Sequence, residues 1–178
     1  MKAPFRLTAG VGEADLLILA AAFAAGEQPL ALPGLAVRPL GNFLALQLPP
    51  DCTHMEAVSG LAMRCVRQFD VLRAPPSAAE LARRRQINLT ARQNALLARW
   101  GYPYTEEEFR LHFTLSDEMA SLSADQRQAV RAAAETSFAP ALAQCPQIDG
   151  ISIFREPAPG ELFMLWRRFV FQRAALPV

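Results

Sequence analysis

A chain of 178 residues, 52% of them hydrophobic, is long enough for one domain or two small lobes around a real core, and it is not the composition of a disordered protein. Eighteen basic side chains against seventeen acidic ones leave a formal charge of +1, which excludes an overall field that would steer the chain toward nucleic acid or an anionic membrane. Cys52, Cys65 and Cys145 are odd in number, widely spaced and without a C-x-x-C, so neither a disulfide framework nor a cysteine zinc site is indicated; reduced thiols and a cytoplasmic location follow.

The segment from Ala3 to Thr8 reads as a strand, with Lys2 and Arg6 on one face. The apolar run Leu16 to Ala25 imitates a secretory signal, but Glu13 and Asp15 stand directly before it and it is too short to span a bilayer. A core helix from about Glu13 to Ala25 is expected instead. Strands follow at Leu35 to Pro39 and Asn42 to Leu48, punctuated by Pro33-Gly34 and Pro39-Leu40-Gly41. Four capping boxes predict helix starts: Thr53 with Glu56, Ser77 with Glu80, Thr90 with Gln93 and Ser123 with Gln126. The first opens an amphipathic stripe of Met55, Val58, Ala62, Cys65, Phe69 and Leu72. Pro75-Pro76 ends that helix, and Gly101 with Pro103 ends the one from Thr90. Beyond these come a strand from Phe109 to Ser116, a helix from Ser123 to about Ala139, and strands at Gln147 to Arg155 and Leu162 to Phe171.

From Phe109 onward the order is strand, helix, strand, tight connection, strand, and residues 1 to 48 repeat it. The predicted class is α+β: two similar strand-helix-strand-strand lobes with antiparallel sheets, and a helical insert between them. The expected boundaries are about 1–50, about 51–107 and about 108–178 within a single bilobal domain.

The stretch EFRLHFTLS, residues 108 to 116, carries the chemistry. In an extended chain Phe109, Leu111, Phe113 and Leu115 share one face and Arg110, His112, Thr114 and Ser116 the other. An imidazole can move a proton near neutral pH, a hydroxyl two residues on can hold a phosphoryl oxygen, and Arg110 and Ser116 add a positive charge and a further donor. The bland reading is the solvent side of an ordinary amphipathic strand, and spacing alone leaves both open. His54, at a helix start in the insert, reads as uninvolved, and Arg83-Arg84-Arg85 reads as a solvated turn. Arg167 and Arg168 fall on opposite faces of the last strand, so at most one would look into a cleft. Trp100, Tyr102 and Tyr104 read as core or hinge packing, with Tyr104 the better ligand candidate because it lies just before the His112 strand.

KAPFRL at 2 to 7, SAAELARRR with LTARQNALLARWGYPYTEEEFRLHFTLS through Ser116, and ISIFREPAPGELFMLWRRF at 151 to 169 together resemble the two-histidine phosphoesterase superfamily, in its branch associated with bacterial phosphonate metabolism. The resemblance implies two lobes facing across a cleft, each with a His-x-Thr strand. The two histidines would act as general base and general acid on a small, often cyclic, phosphodiester, with no metal and no cofactor. His112 and Thr114 match the second motif; Arg110, Ser116, Tyr104, Lys2 and Arg6 are the expected phosphate contacts. The first motif would fall just upstream of Met1, so a mis-chosen start codon or a truncated gene is expected, with phosphorylated ligands bound but turned over poorly. The alternative is a noncatalytic phosphate-ligand binding or regulatory protein. An RNA-binding module is disfavoured by the balanced charge. A missing edge strand further predicts self-association.

Overall fold

A computed structural model describes residues 4–49, 51–84, 88–158 and 160–172. The fold is α+β with antiparallel strand pairing. In chain order the elements are α1 (Glu13–Ala25), β1 (Leu30–Ala31), β2 (Ala36–Leu40), β3 (Phe43–Gln47), α2 (His54–Asp70), α3 (Ala78–Arg84), α4 (Ala91–Trp100), β4 (His112–Thr114), α5 (Ala124–Leu142), β5 (Gln147–Ile148), β6 (Gly150–Arg155) and β7 (Met164–Val170). A 3-10 turn, Glu106–Glu108, precedes β4.

Contacts group the chain into two compact units, one of residues 1–29, 60–109 and 149–178, the other of residues 30–59 and 110–148. These interleave along the chain, whereas the sequence reading set sequential lobes around an insert. The ladders account for the difference: β3, from the expected first lobe, pairs with β4, from the expected second, and α1 packs on β6 and β7.

In the first unit α1, the C-terminal part of α2, α4 and β6 supply the core. Asp15 starts α1 by accepting the Gly12 N–H at 2.8 Å, and Phe23 reaches the rings of Phe69 and Phe171 at centroid distances of 5.8 and 6.3 Å. Ala62, Cys65, Phe69 and Leu72 of the α2 stripe are buried, together with Leu61 and Val66, and Leu96 and Leu97 of α4 are fully enclosed. The reciprocal boxes form at Thr90 with Gln93 and at Ser77 with Glu80. Of the expected strand over 3–8, the described residues 4–8 form one bridge, Leu7 with Arg73, flanked by Thr8 N–H to Leu72 O and Ala74 N–H to Arg6 O. Pro75 and Pro76 lack the N–H groups that would continue it. β6 and β7 form a hairpin with a register shift between Ile153 and Phe154. Gly150 opens this hairpin because a Cβ there would lie 2.4 Å from the Phe169 carbonyl oxygen.

In the second unit β2, β3 and β4 make a three-stranded antiparallel sheet in that order, and β1 pairs with β5. The expected strand 147–155 thus divides at Asp149, whose carboxylate takes Arg168 and whose carbonyl takes the Phe171 N–H. Val37, Leu44 and Leu46 are buried on one sheet face, and α5 packs against β2. Ser123 and Gln126 close the capping box of α5.

Candidate functional site

The site is built on the β2-β3-β4 sheet, where a two-residue turn, Gly41-Asn42, sets the register. Gly41 sits at φ +56°, the conformation that lets so short a turn join antiparallel strands and that favours glycine. Pairing then runs Leu40 to Phe43, Arg38 to Ala45 and Ala36 to Gln47, and on the other side Ala45 to Thr114 and Gln47 to His112. Residues directly opposite share a face, so two rows form: Ala36, Gln47, His112 and Arg38, Ala45, Thr114. Leu46 and Phe113 stand on the reverse side.

The expected strand 109–116 contracts to 112–114 for reasons visible at both ends. Upstream, Glu106 and Glu107 are drawn into the 3-10 turn by Arg92, Arg99 and Trp100. Downstream, Leu115 N–H still reaches Leu44 O at 2.8 Å, but the Leu44 N–H is received at 2.9 Å by the Ser116 hydroxyl, which donates in turn to Asp117 O at 2.9 Å. The Ser116 side chain therefore finishes the ladder.

His112 and Thr114 are exposed. The His112 Nδ1 lies 2.9 Å from the Arg110 carbonyl oxygen. A carbonyl only accepts, so Nδ1 is the donor in this contact, and in the neutral ring Nε2 is then the nitrogen that can accept. Arg110 is exposed and lies before the strand. A candidate that the sequence analysis does not single out is Arg38, on the Thr114 row, with its Nε buried and without a hydrogen-bond partner. Counting back from the Gly41-Asn42 turn would have found it.

Arg6 and Tyr104 belong to the other unit. Arg6 reaches both Glu80 oxygens, at 3.3 and 3.1 Å, and the Pro75 carbonyl at 3.1 Å. Hydrogen bonding from Arg6, with help from the Ser77 N–H, holds the Glu80 carboxyl down to about 2, and Glu80 in turn raises Arg6. Tyr104 is 37% exposed and stands edge-on to Tyr102 at 5.5 Å. Lys2 lies outside the described residues. His54 starts α2, its Nδ1 3.5 Å from the Thr53 hydroxyl.

The first unit has a groove of about 800 Å³ bordered by Phe5, Arg6, Glu13, Glu80, Arg155 and Trp166. Its cations are already answered, Arg6 by Glu80 and Arg155 by Glu13, so an incoming anion would meet a carboxylate with each guanidinium. The His112 row has no such opposition on its strand. Among the described residues no group of three or more His, Cys, Asp or Glu side chains converges as a metal site would require, and no helix is long and apolar enough to cross a membrane.

Residues 1–164 match the model of the protein family described as "Protein of unknown function (DUF1045)". The chain belongs to the DUF1045 family. This DUF1045 chain is similar to a protein of Janthinobacterium sp. (strain Marseille) named ribose 1,5-bisphosphate phosphokinase PhnN, 49% identical over 182 residues that cover 99% of the chain and 40% of the relative. It is also similar to a protein of the same name from Laribacter hongkongensis (strain HLHK9), 34% identical over 173 residues, covering 94% of the chain and 37% of the relative. The DUF1045 chain thus spans about two-fifths of the length of these curated relatives. No solved structure matches it.

Proposed function

We propose that this chain is a phosphoesterase-like protein of phosphonate metabolism that receives a small phosphorylated ligand on the His112 and Thr114 face of the β2-β3-β4 sheet. The observation that carries the reading is the 2.9 Å contact of His112 Nδ1 with the Arg110 carbonyl: with Nδ1–H donating there, Nε2 of the neutral ring can take a proton from a hydroxyl or water attacking phosphorus. Thr114, on the same face of the same strand, offers an O–H to a phosphoryl oxygen. On a cyclic phosphodiester the attacking oxygen forms the new P–O bond and loses its proton to Nε2. The ring P–O bond breaks, and the leaving oxygen needs a proton from a general acid.

The relatives' names support a phosphorylated sugar as the class of ligand. A P-loop requires G-x-x-x-x-G-K-[ST], and these 178 residues have no such run and a single lysine, Lys2. We therefore assign the kinase chemistry of those names to the part of the relatives that this chain does not match, and phosphoester recognition to the matched part.

The sequence holds one His-x-Thr, and general acid and general base catalysis each contribute about 10²- to 10⁴-fold, so the 178-residue chain is expected to bind phosphoryl groups and turn them over slowly. That single motif equally favours a second reading, a noncatalytic phosphate-ligand binder. Phosphorus NMR with a ribose 2′,3′-cyclic phosphate separates the two. Slow ring opening that disappears in His112→Gln supports the esterase, and binding without ring opening supports the binder. Equal binding and equal turnover in parent and His112→Gln would refute both.

A further inference from the structure

We infer that Arg38, not Arg110, supplies the fixed positive charge of this anion site, so that the ligand's phosphoryl group is received by Arg38 and Thr114 together. The inference rests on the proposed role of the His112 face and adds a residue to it.

Three observations carry it. The first is register: Arg38, Ala45 and Thr114 form one row across three adjacent strands, which puts the Arg38 and Thr114 backbones about 10 Å apart with their side chains on the same side. The residue between them, Ala45, ends in a methyl group and is fully buried, so it sets no polar group of its own between the guanidinium and the hydroxyl.

The second is the unanswered charge. Arg6, Arg64, Arg73 and Arg92 each lie against a carboxylate, but Arg38 has none among the described residues, and its Nε is buried with no acceptor. A buried donor on a charged group is costly when unpaired, and an oxyanion is what satisfies it, best when two guanidinium N–H groups are received together. The third is the contrast with Arg110, which precedes the strand and whose carbonyl is spent orienting His112. The row then divides the work. Arg38 carries the anionic charge, Thr114 donates to a phosphoryl oxygen, and His112, one row along the strand, meets a hydroxyl rather than the charge.

The test uses the 178-residue chain and inorganic phosphate at fixed ionic strength, with binding read by calorimetry and thermal midpoints measured in parallel. Arg38→Met should weaken phosphate binding at least 10-fold while leaving the midpoint unchanged or raising it by a few degrees, because it removes an unpaired buried donor. Arg38→Lys, which keeps the charge without the fork, should bind between the parent and Arg38→Met. Arg127→Met, on exposed α5 of the same unit, should change binding less than 2-fold. A lowered midpoint or failure to fold in Arg38→Met would make Arg38 structural and overturn the inference, as would parent-like binding. Phosphate binding weakened by His112→Gln but not by Arg38→Met defeats Arg38 alone. Binding weakened by Arg38→Met but not by His112→Gln supports this division of work, whereas ring opening of the cyclic phosphate that survives His112→Gln defeats the His112 reading while leaving the Arg38 anion site, and a parent chain that binds no phosphate sinks both.

Discussion

Glu106 is the residue on which the approach to β4 turns, and two substitutions at this position test how. Its backbone sits at φ +50°, a left-handed conformation that costs a residue with a side chain about 1–2 kcal/mol. What holds it there is on the side chain, which is 19% exposed: Oε1 receives the Trp100 indole N–H at 2.8 Å, and the same carboxylate lies against Arg92 and Arg99. Its own N–H points at the Met63 sulfur at 3.3 Å. In Glu106→Ala the indole N–H loses its acceptor, at a cost of about 1–3 kcal/mol. The lost ion pairs add little, because Arg92 keeps Glu107 and the arginines are half exposed. Alanine is strained by the same φ and glycine is not, so Glu106→Gly should be the more stable variant by about 1 kcal/mol, reversing the usual order for these two residues. For a chain of this size that gap is about 2–4 °C in thermal midpoint, with urea unfolding as the second measure. An alanine variant equal to or more stable than the glycine variant would show that the turn does not hold residue 106 left-handed. An alanine variant as stable as the parent would show that Trp100 does not depend on this carboxylate.

Phe23→Ala, which empties the space between Phe69 and Phe171, should cost about 3–5 kcal/mol by urea denaturation. Gly150→Ala drives a methyl into the Phe169 carbonyl and should cost about 1–3 kcal/mol, read as a lowered thermal midpoint with far-ultraviolet circular dichroism retained. Glu80 titrates below its ordinary value near 4.5, so its contribution is complete above that value and is lost as pH falls through about 2. The difference in urea midpoint between the parent and Glu80→Gln should therefore stay level from about pH 8 to 5, then narrow; a difference that widened on acidification would contradict the Arg6 pairing.

Local signals carried the helices and the alternation of the candidate strand. The boxes at Ser77, Thr90 and Ser123 lie where the helices begin, and α1 spans Glu13 to Ala25 as the acidic start and apolar run predict, because capping is settled within four residues. Partner choice is not local. Nothing in the period of residues 42–48 says that they bond to 112–114 rather than to a neighbour in sequence, and the two units interleave for that reason. The loss of strand at 109–111 depends on Arg92 and Trp100, which reach residues 14 or 15 and six positions onward. Arg38 was hidden by its type, since an arginine in an amphipathic strand reads as a solvated side chain until its register with Thr114 is known.

The brevity of β4 makes parity a chemical variable. A slip of one residue against β3 would turn His112 and Thr114 to the apolar side and bring Phe113 to the front. The Ser116 hydroxyl acts against that slip, because it fits the Leu44 amide in one alignment only. Whether an imidazole or a benzene ring occupies that face of the sheet is thus decided by an atom on neither ring.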